Sequence, residues 1–227
     1  MNKTPPAWSY SSIKLYDTCP KKYEGERVTK EVVFTDNEHT LYGKSLHTAA
    51  EEYVRDGKEL DLKFTYIKGY LDRLISLPGE KFCELKLGLK KQDGKLVECD
   101  FFDKEVWFRG VADLVIKNGT KAFVIDYKTS KNAKYADLKQ LALMAACLFV
   151  KHPELEKIKA GLLFVSCGEF IRGEYIREHG LNIFAELHPL LEQRAIAYNT
   201  GVFNAKPNGL CRRYCGVTSC PHHGGNR

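Results

Sequence analysis

The stretch Gly110-Val111-Ala112-Asp113, followed by Ala122-Phe123-Val124-Ile125-Asp126-Tyr127-Lys128, decides how this chain folds. The four apolar residues Ala122 to Ile125 suit a strand covered on both faces. That strand closes on an acid and a base two residues apart. Side chains alternate along a strand, so Asp126 and Lys128 share a face and Tyr127 points away. Between the two stretches stands Asn118-Gly119. It predicts a type I′ hairpin, whose two central residues both need positive φ. A hairpin here can lay Asp113 beside Asp126. Two carboxylates about 4 Å apart repel by roughly 4 kcal/mol at an effective dielectric of 20, and a cation between them removes that cost. Mg²⁺ suits such a place because it prefers oxygen donors and keeps waters for a phosphate; Mn²⁺ is its substitute. Lys128 then orients or activates the attacking water and offsets charge on the phosphate. Alone, Asp126 and Lys128 read as a strand-end ion pair, and Asp113 as a solvated strand residue. The combination of apolar strand, acid-x-Lys ending and acidic hairpin partner points to a site.

Working outward, the period of the sequence changes twice. Upstream, Ser11-Ser12 begins a helix that Pro20 bends or restarts. Gly43 to Arg55 carries Leu46, Ala49, Ala50 and Tyr53 on one helical stripe, and Leu62 to Leu77 reads as another helix closed by Pro78-Gly79. Alternation from Lys81 to Lys90, the turn Gln92-Asp93-Gly94, and the segments Lys95 to Phe102 and Glu105 to Lys117 read as strands. Downstream, Tyr135 to Val150 reads as an apolar helix, Lys159 to Ser166 and Phe170 to Arg177 as strands, and Leu181 to Tyr198 as a helix. The expectation is an α/β fold: one domain over residues 1–227, with a central mixed β-sheet flanked by helices.

Gly110-Val-Ala-Asp113 with Val124-Ile-Asp-Tyr-Lys128 resembles the PD-(D/E)XK nuclease superfamily, in particular its RecB-like exonuclease branch. The resemblance implies a restriction-endonuclease-like core and metal-dependent hydrolysis of DNA. That branch carries a metal-binding histidine in a G-x-x-x-H pattern, matched here by Gly43-Lys-Ser-Leu-His47. The resemblance therefore implies that His47, Asp113, Asp126 and the main-chain carbonyl of Tyr127 hold the metal, and that Lys128 is the catalytic lysine. Glu84 matches a first-strand glutamate of the branch. Glu51, four residues after His47, shares its helix face and is either a partner of the imidazole or a solvated glutamate. The Q-x-x-x-Y motif of the branch is met by Gln140-Leu-Ala-Leu-Met144. Gln140 is a candidate contact to the metal site or scissile strand; Met144 departs from the tyrosine, which puts part of the DNA contact in doubt.

Cys211, Cys215 and Cys220 fall within ten residues, with Gly216 and Pro221 to turn the chain, and read as soft-metal ligands. Cys19 is the fourth ligand of choice, with His222 or His223 as alternatives. Some RecB-like nucleases, among them helicase-nucleases and a CRISPR-associated family, hold a [4Fe–4S] cluster on one cysteine before the core and three after it. Cys19-Pro-Lys-Lys-Tyr23 and the offset from Cys211 to Cys220 resemble that pattern. The middle spacing departs from it, which leaves Zn²⁺ on three cysteines and a histidine open. Either metal would staple the tail, residues 203–223, to the helix at 11–24. Cys83, Cys99, Cys147 and Cys167 read as buried free thiols. Lys21, Lys22, Arg212 and Arg213 flank the ligands and either hold phosphates or form a solvated basic surface.

Hydrophobic content is 44%, charged content 28% and net charge +6, ordinary for a globular protein and far less basic than histone-like chains. A polyanion contact is therefore expected as a patch. No apolar h-region opens the chain and no apolar run reaches a membrane span, so a cytoplasmic protein without a membrane partner is expected, in the host cytoplasm if phage-encoded. The leading function is an exonuclease on DNA ends or single strands, working by analogy beside a strand-annealing protein or helicase. A metal-stapled DNA-binding module with a vestigial site, and an RNA nuclease, are the rival readings.

Overall fold

The structure, a computed structural model, describes residues 5–134 and 136–226. They fall into two compact units. One comprises Asp36–Phe184; the other comprises the described parts of Met1–Thr35 and Ala185–Arg227.

The larger unit is built on a six-stranded mixed sheet. Its strands are β1 (Glu80–Gln92), β2 (Lys95–Glu98), β3 (Phe108–Asn118), β4 (Lys121–Lys128), β5 (Lys157–Phe164) and β6 (Glu169–Ile176), in the order β2-β1-β3-β4-β5-β6. All neighbours are antiparallel except β4 and β5. A parallel pair needs a crossover. The helix Lys139–Lys151 supplies it, and Leu141 and Leu143 to Phe149 are buried, as the apolar sequence requires. On the other side, the helices Glu38–Asp56 and Lys68–Ser76 bury Leu46, Ala50, Leu71 and Leu74 against Leu114, Ile116, Ile125 and Tyr127. The expected apolar helix began at Tyr135, which lies outside the described residues.

The β1–β2 loop is Asp93-Gly94, with φ of 49° and 74°, the pattern of a type I′ turn. The β3–β4 hairpin corrects the expectation. Asn118 pairs with Lys121, so the two loop residues are Gly119 and Thr120, and of these only Gly119 has positive φ, at 58°. Positive φ at the first central residue alone belongs to the type II′ pattern. Had Asn118-Gly119 formed the loop, Asp113 would lie opposite Val124, out of step with Asp126.

The smaller unit contains the helices Tyr10–Thr18 and Pro20–Tyr23, a π-turn at Glu24–Val28, and the C-terminal tail. Its centre is aromatic and cationic. Arg194 is buried, donates from Nε to the Tyr23 hydroxyl at 2.9 Å and from Nη2 to the Pro6 carbonyl at 2.8 Å. Its guanidinium lies over the rings of Tyr23 and Tyr198. No helix among the described residues is long and apolar enough to cross a membrane.

Candidate active site

His47 comes from the helix Glu38–Asp56. Asn37 starts that helix with a capping box, accepting from the Thr40 amide at 3.0 Å while Thr40 Oγ1 accepts from the Asn37 amide at 2.9 Å. Gly57, at φ 69°, ends it in the left-handed conformation. Leu46 is driven into the core, which leaves the adjoining His47 at the edge of the sheet. Its Nδ1 lies 3.3 Å from Asp113 Oδ2 and 4.0 Å from Glu84 Oε1.

Asp113 sits where β3 and β4 part. Their ladder ends at the Leu114–Ile125 pair. One step further the Asp113 carboxylate replaces a backbone partner: its Oδ2 accepts from the Tyr127 amide at 2.7 Å. Donor atoms of His47, Glu84 and Asp113 all lie within 4.8 Å of one another. One ring nitrogen with hard carboxylate oxygens is a donor set that Mg²⁺ or Mn²⁺ accepts.

Glu84 is held there by a departure from strand geometry. Its φ is 47°, and the β1–β3 ladder skips it between the Cys83–Leu114 and Leu85–Ala112 pairs. The left-handed region costs a non-glycine residue on the order of 1–2 kcal/mol. Such outliers gather at functional sites. No local signal in the sequence marks this position as strained, so the glutamate's place in the site was visible there only through the resemblance.

Asp126 and Lys128 do share a face. Lys128 Nζ lies 2.6 Å from Asp126 Oδ2. Gln140 joins both: its Nε2 donates to Asp126 Oδ1 at 2.5 Å, and its Oε1 accepts from Lys128 Nζ at 3.0 Å. Met144, one helical turn on, is buried, and its Sδ and Cε would stand 3.2 and 3.0 Å from a Cβ on Gly110. It is a packing residue beneath β3. Glu51 pairs with Arg55 rather than with the imidazole.

The electrostatics follow from crowding. Burial, then repulsion from Asp113, pushes Asp126 up to about 6 against the pull of Lys128 and His47. Burial and the Asp113 charge also raise Glu84. For His47, burial favours the neutral ring, but the hydrogen bond to Asp113 and the charges of Asp113, Asp126 and Glu84 outweigh it and raise its pKa. Protons and a metal ion thus compete for the same atoms. Calorimetric titration with Mn²⁺ is expected to show affinity falling steeply as pH drops through about 6, the range in which Asp126 takes up its proton. Equal affinity at acid and neutral pH would exclude these groups as ligands.

In the smaller unit, Cys19, Cys211, Cys215 and Cys220 line one small cavity together with His222 and His223. Cys19 is the N-cap of the helix Pro20–Tyr23, and the Lys206 amide donates to its sulfur at 3.3 Å. The Asn208 amide donates to Cys211 Sγ at 3.4 Å, while Asn208 Nδ2 donates to the Thr18 carbonyl at 3.2 Å. These bonds tie the tail to the first helices. Among the other four cysteines, Cys147 is buried, Cys83 and Cys99 are half-buried, and Cys167 is exposed in the β5–β6 turn, unlike the buried thiol expected.

Acidic and imidazole donors gather where two strands part, with a lysine beside them, in a group that could hold a metal ion. Residues 7–221 match the family model of the PD-(D/E)XK nuclease superfamily, and the chain belongs to that superfamily. Among solved structures, the chain is similar to the "putative exonuclease" of Eubacterium rectale, at 11% identity and TM-score 0.54, covering 92% of this chain and 86% of that one. It is also similar to SSO0001, at 18% identity and TM-score 0.47, covering 97% and 88%. No curated protein matches. At such identities the likeness concerns the fold.

Proposed function

We propose that this protein is a divalent-metal-dependent deoxyribonuclease of the RecB-like branch, acting as an exonuclease on DNA ends or single strands. The observation that carries the reading is the meeting of the His47–Glu84–Asp113 donor group with the Asp126–Lys128–Gln140 triad at the open end of β3 and β4. His47, Asp113, Asp126, Glu84 and the Tyr127 carbonyl would hold Mg²⁺ or Mn²⁺. A bound cation supplies Lewis-acid polarisation of the scissile phosphate and an attacking water of lowered pKa. Lys128 orients that water and offers its ammonium to the charge that develops on the phosphate. Gln140 fixes Lys128 and Asp126 together, so neither has to be reorganised when substrate arrives. The test is cleavage of end-labelled linear DNA against covalently closed circles, with Mg²⁺, Mn²⁺ or chelator. Metal-dependent loss of linear DNA with intact circles is expected. Degradation of circles would replace the exonuclease reading by an endonuclease, and preference for RNA would change the substrate.

The four cysteines are the proposed ligands of a [4Fe–4S] cluster. Two amide N–H groups directed at sulfur favour thiolates there. Anaerobically purified protein is expected to be brown and to contain iron and sulfide. Cys19→Ser is expected to lose colour and lower the melting temperature by several degrees, since a ligand that clips both chain ends is lost. A colourless protein with one equivalent of zinc would decide for the alternative. By analogy with the branch, the proposed partner is a strand-annealing protein or helicase.

A further inference from the structure

The segment between β2 and β3 carries two aromatic rings beside the metal-donor group. Phe101 and Phe102 meet edge to face, with centroids 5.1 Å apart, and Phe102 is 67% exposed. Beneath them lie two cations. Lys86 Nζ is 5.9 Å from the Phe101 centroid and 5.3 Å from that of Phe102; the Arg109 guanidinium is 5.5 Å from Phe101. Lys86 stands two residues along β1 from Glu84, and Arg109 four residues along β3 from Asp113. At about 3.3 Å per residue their backbones stand roughly 7 and 13 Å along the strands from those of Glu84 and Asp113.

Three features distinguish this patch from an ordinary exposed phenylalanine. First, the segment is stiff. The Cys99 amide donates to the Gly88 carbonyl at 3.0 Å, the Phe102 amide to Asp100 Oδ1 at 2.7 Å, and the Glu105 amide to Asp103 Oδ1 at 2.8 Å. A Cβ on Gly88 would fall 2.7 Å from the Cys99 carbonyl oxygen, so glycine is what lets the segment lie this close. Second, the nearby carboxylates are already engaged: Asp100 with the Phe102 amide, Asp103 with Lys90. Third, neither Lys86 nor Arg109 has a carboxylate partner among the described residues, and the buried Arg109 Nε has no hydrogen-bond partner there.

We propose that this patch is a subsite for the unpaired strand of a DNA end, with a base stacked on Phe102 and neighbouring phosphates held by Arg109 and Lys86. The assignment rests on the nuclease reading of the adjoining donor group. Rigid exposed aromatics over cations are how single strands are held without sequence preference. A partner protein's apolar side chain would leave the two cations unanswered.

The test is fluorescence anisotropy in chelator, with a short labelled oligothymidylate and an abasic oligomer of equal length. Phe102→Ala is expected to weaken oligothymidylate binding about 10-fold, within the range of single stacking contacts. It should leave abasic binding unchanged, and Phe102→Trp should restore affinity. Arg109→Ala is expected to weaken both ligands and to reduce the salt slope by about 0.7, one phosphate contact on a single strand. Unchanged oligothymidylate binding in Phe102→Ala, equal losses on both ligands, or no binding by the wild type would overturn the subsite. The assay needs neither metal nor hydrolysis. An inert protein that still shows the Phe102 effect retains the subsite and loses only the nuclease reading; active protein without the effect does the reverse.

Discussion

Lys128→Ala is expected to lower the Mg²⁺-dependent rate of DNA cleavage by about 10²–10⁴-fold while leaving metal binding and fold in place. The side chain lies at the mouth of the site, about one third exposed, with its ammonium 2.6 Å from Asp126 Oδ2. Its removal therefore opens no core cavity. What is lost is the charge that meets the phosphate and the group that orients the water. Lys128→Arg is a sharper probe. A planar guanidinium cannot reproduce the Gln140 Oε1 contact and the Asp126 contact of an ammonium together, so it should rescue little. Single-turnover cleavage with saturating DNA, paired with Mn²⁺ calorimetry, separates the two roles. Wild-type rates in both variants would remove Lys128 from the chemistry and leave the Asp126–Lys128 contact as a strand-end ion pair.

Asp113→Asn is expected to abolish detectable cleavage and to weaken Mn²⁺ binding by more than 100-fold, the upper end of what changes outside the ligand shell cause. Asp113 is the hub: its Oδ2 faces His47 Nδ1 and accepts the Tyr127 amide. Asparagine keeps the shape and can still accept that amide, so the variant should fold. Its metal-free form is expected to be the more stable at neutral pH, by on the order of 1 kcal/mol, because a repelling charge beside Asp126 has gone. The sign follows from the titration of Asp126, pushed up to about 6 from an ordinary 3.8. A carboxyl raised on folding contributes stability that is complete below its unfolded pKa and is lost as pH rises through the folded one. The contribution of Asp126 to metal-free wild-type stability should therefore fall between about pH 4 and 6, and by less in Asp113→Asn. Melting curves at several pH values, with and without Mg²⁺, read this directly. Mg²⁺ should raise the wild-type melting temperature and leave the variant unmoved; a variant stabilised equally by Mg²⁺ would place the ion elsewhere.

Much of the larger unit was legible along the chain, because its signals are local. The run from Ala122 to Ile125 suits a covered strand, and the shared face of Asp126 and Lys128 follows from strand alternation. The helix bearing Leu46 and Ala50 announces its buried stripe, and His47 on that helix was singled out through the resemblance. The apolar run around Leu141 to Phe149 was legible as a helix, while the parallel β4–β5 pair that it bridges emerged only in the assembled sheet. Gln140 was placed by motif spacing and does meet Asp126 and Lys128.

Other features were decided only when distant segments met. Asn118-Gly119 satisfies the local preference for a type I′ turn, yet the pairing of β3 with β4 moved the loop to Gly119-Thr120, and that shift sets Asp113 level with Asp126. Register is a property of two strands packed between helices, where a slip would misplace whole rows of side chains. Glu84 enters the donor group through a left-handed backbone that no propensity favours; the cost is borne by the β1–β3 pairing on either side of it. Residue order alone determined which groups this protein has for chemistry. Which of them converge depended on the register and strain of the assembled sheet, since those energies exist only between segments far apart in sequence.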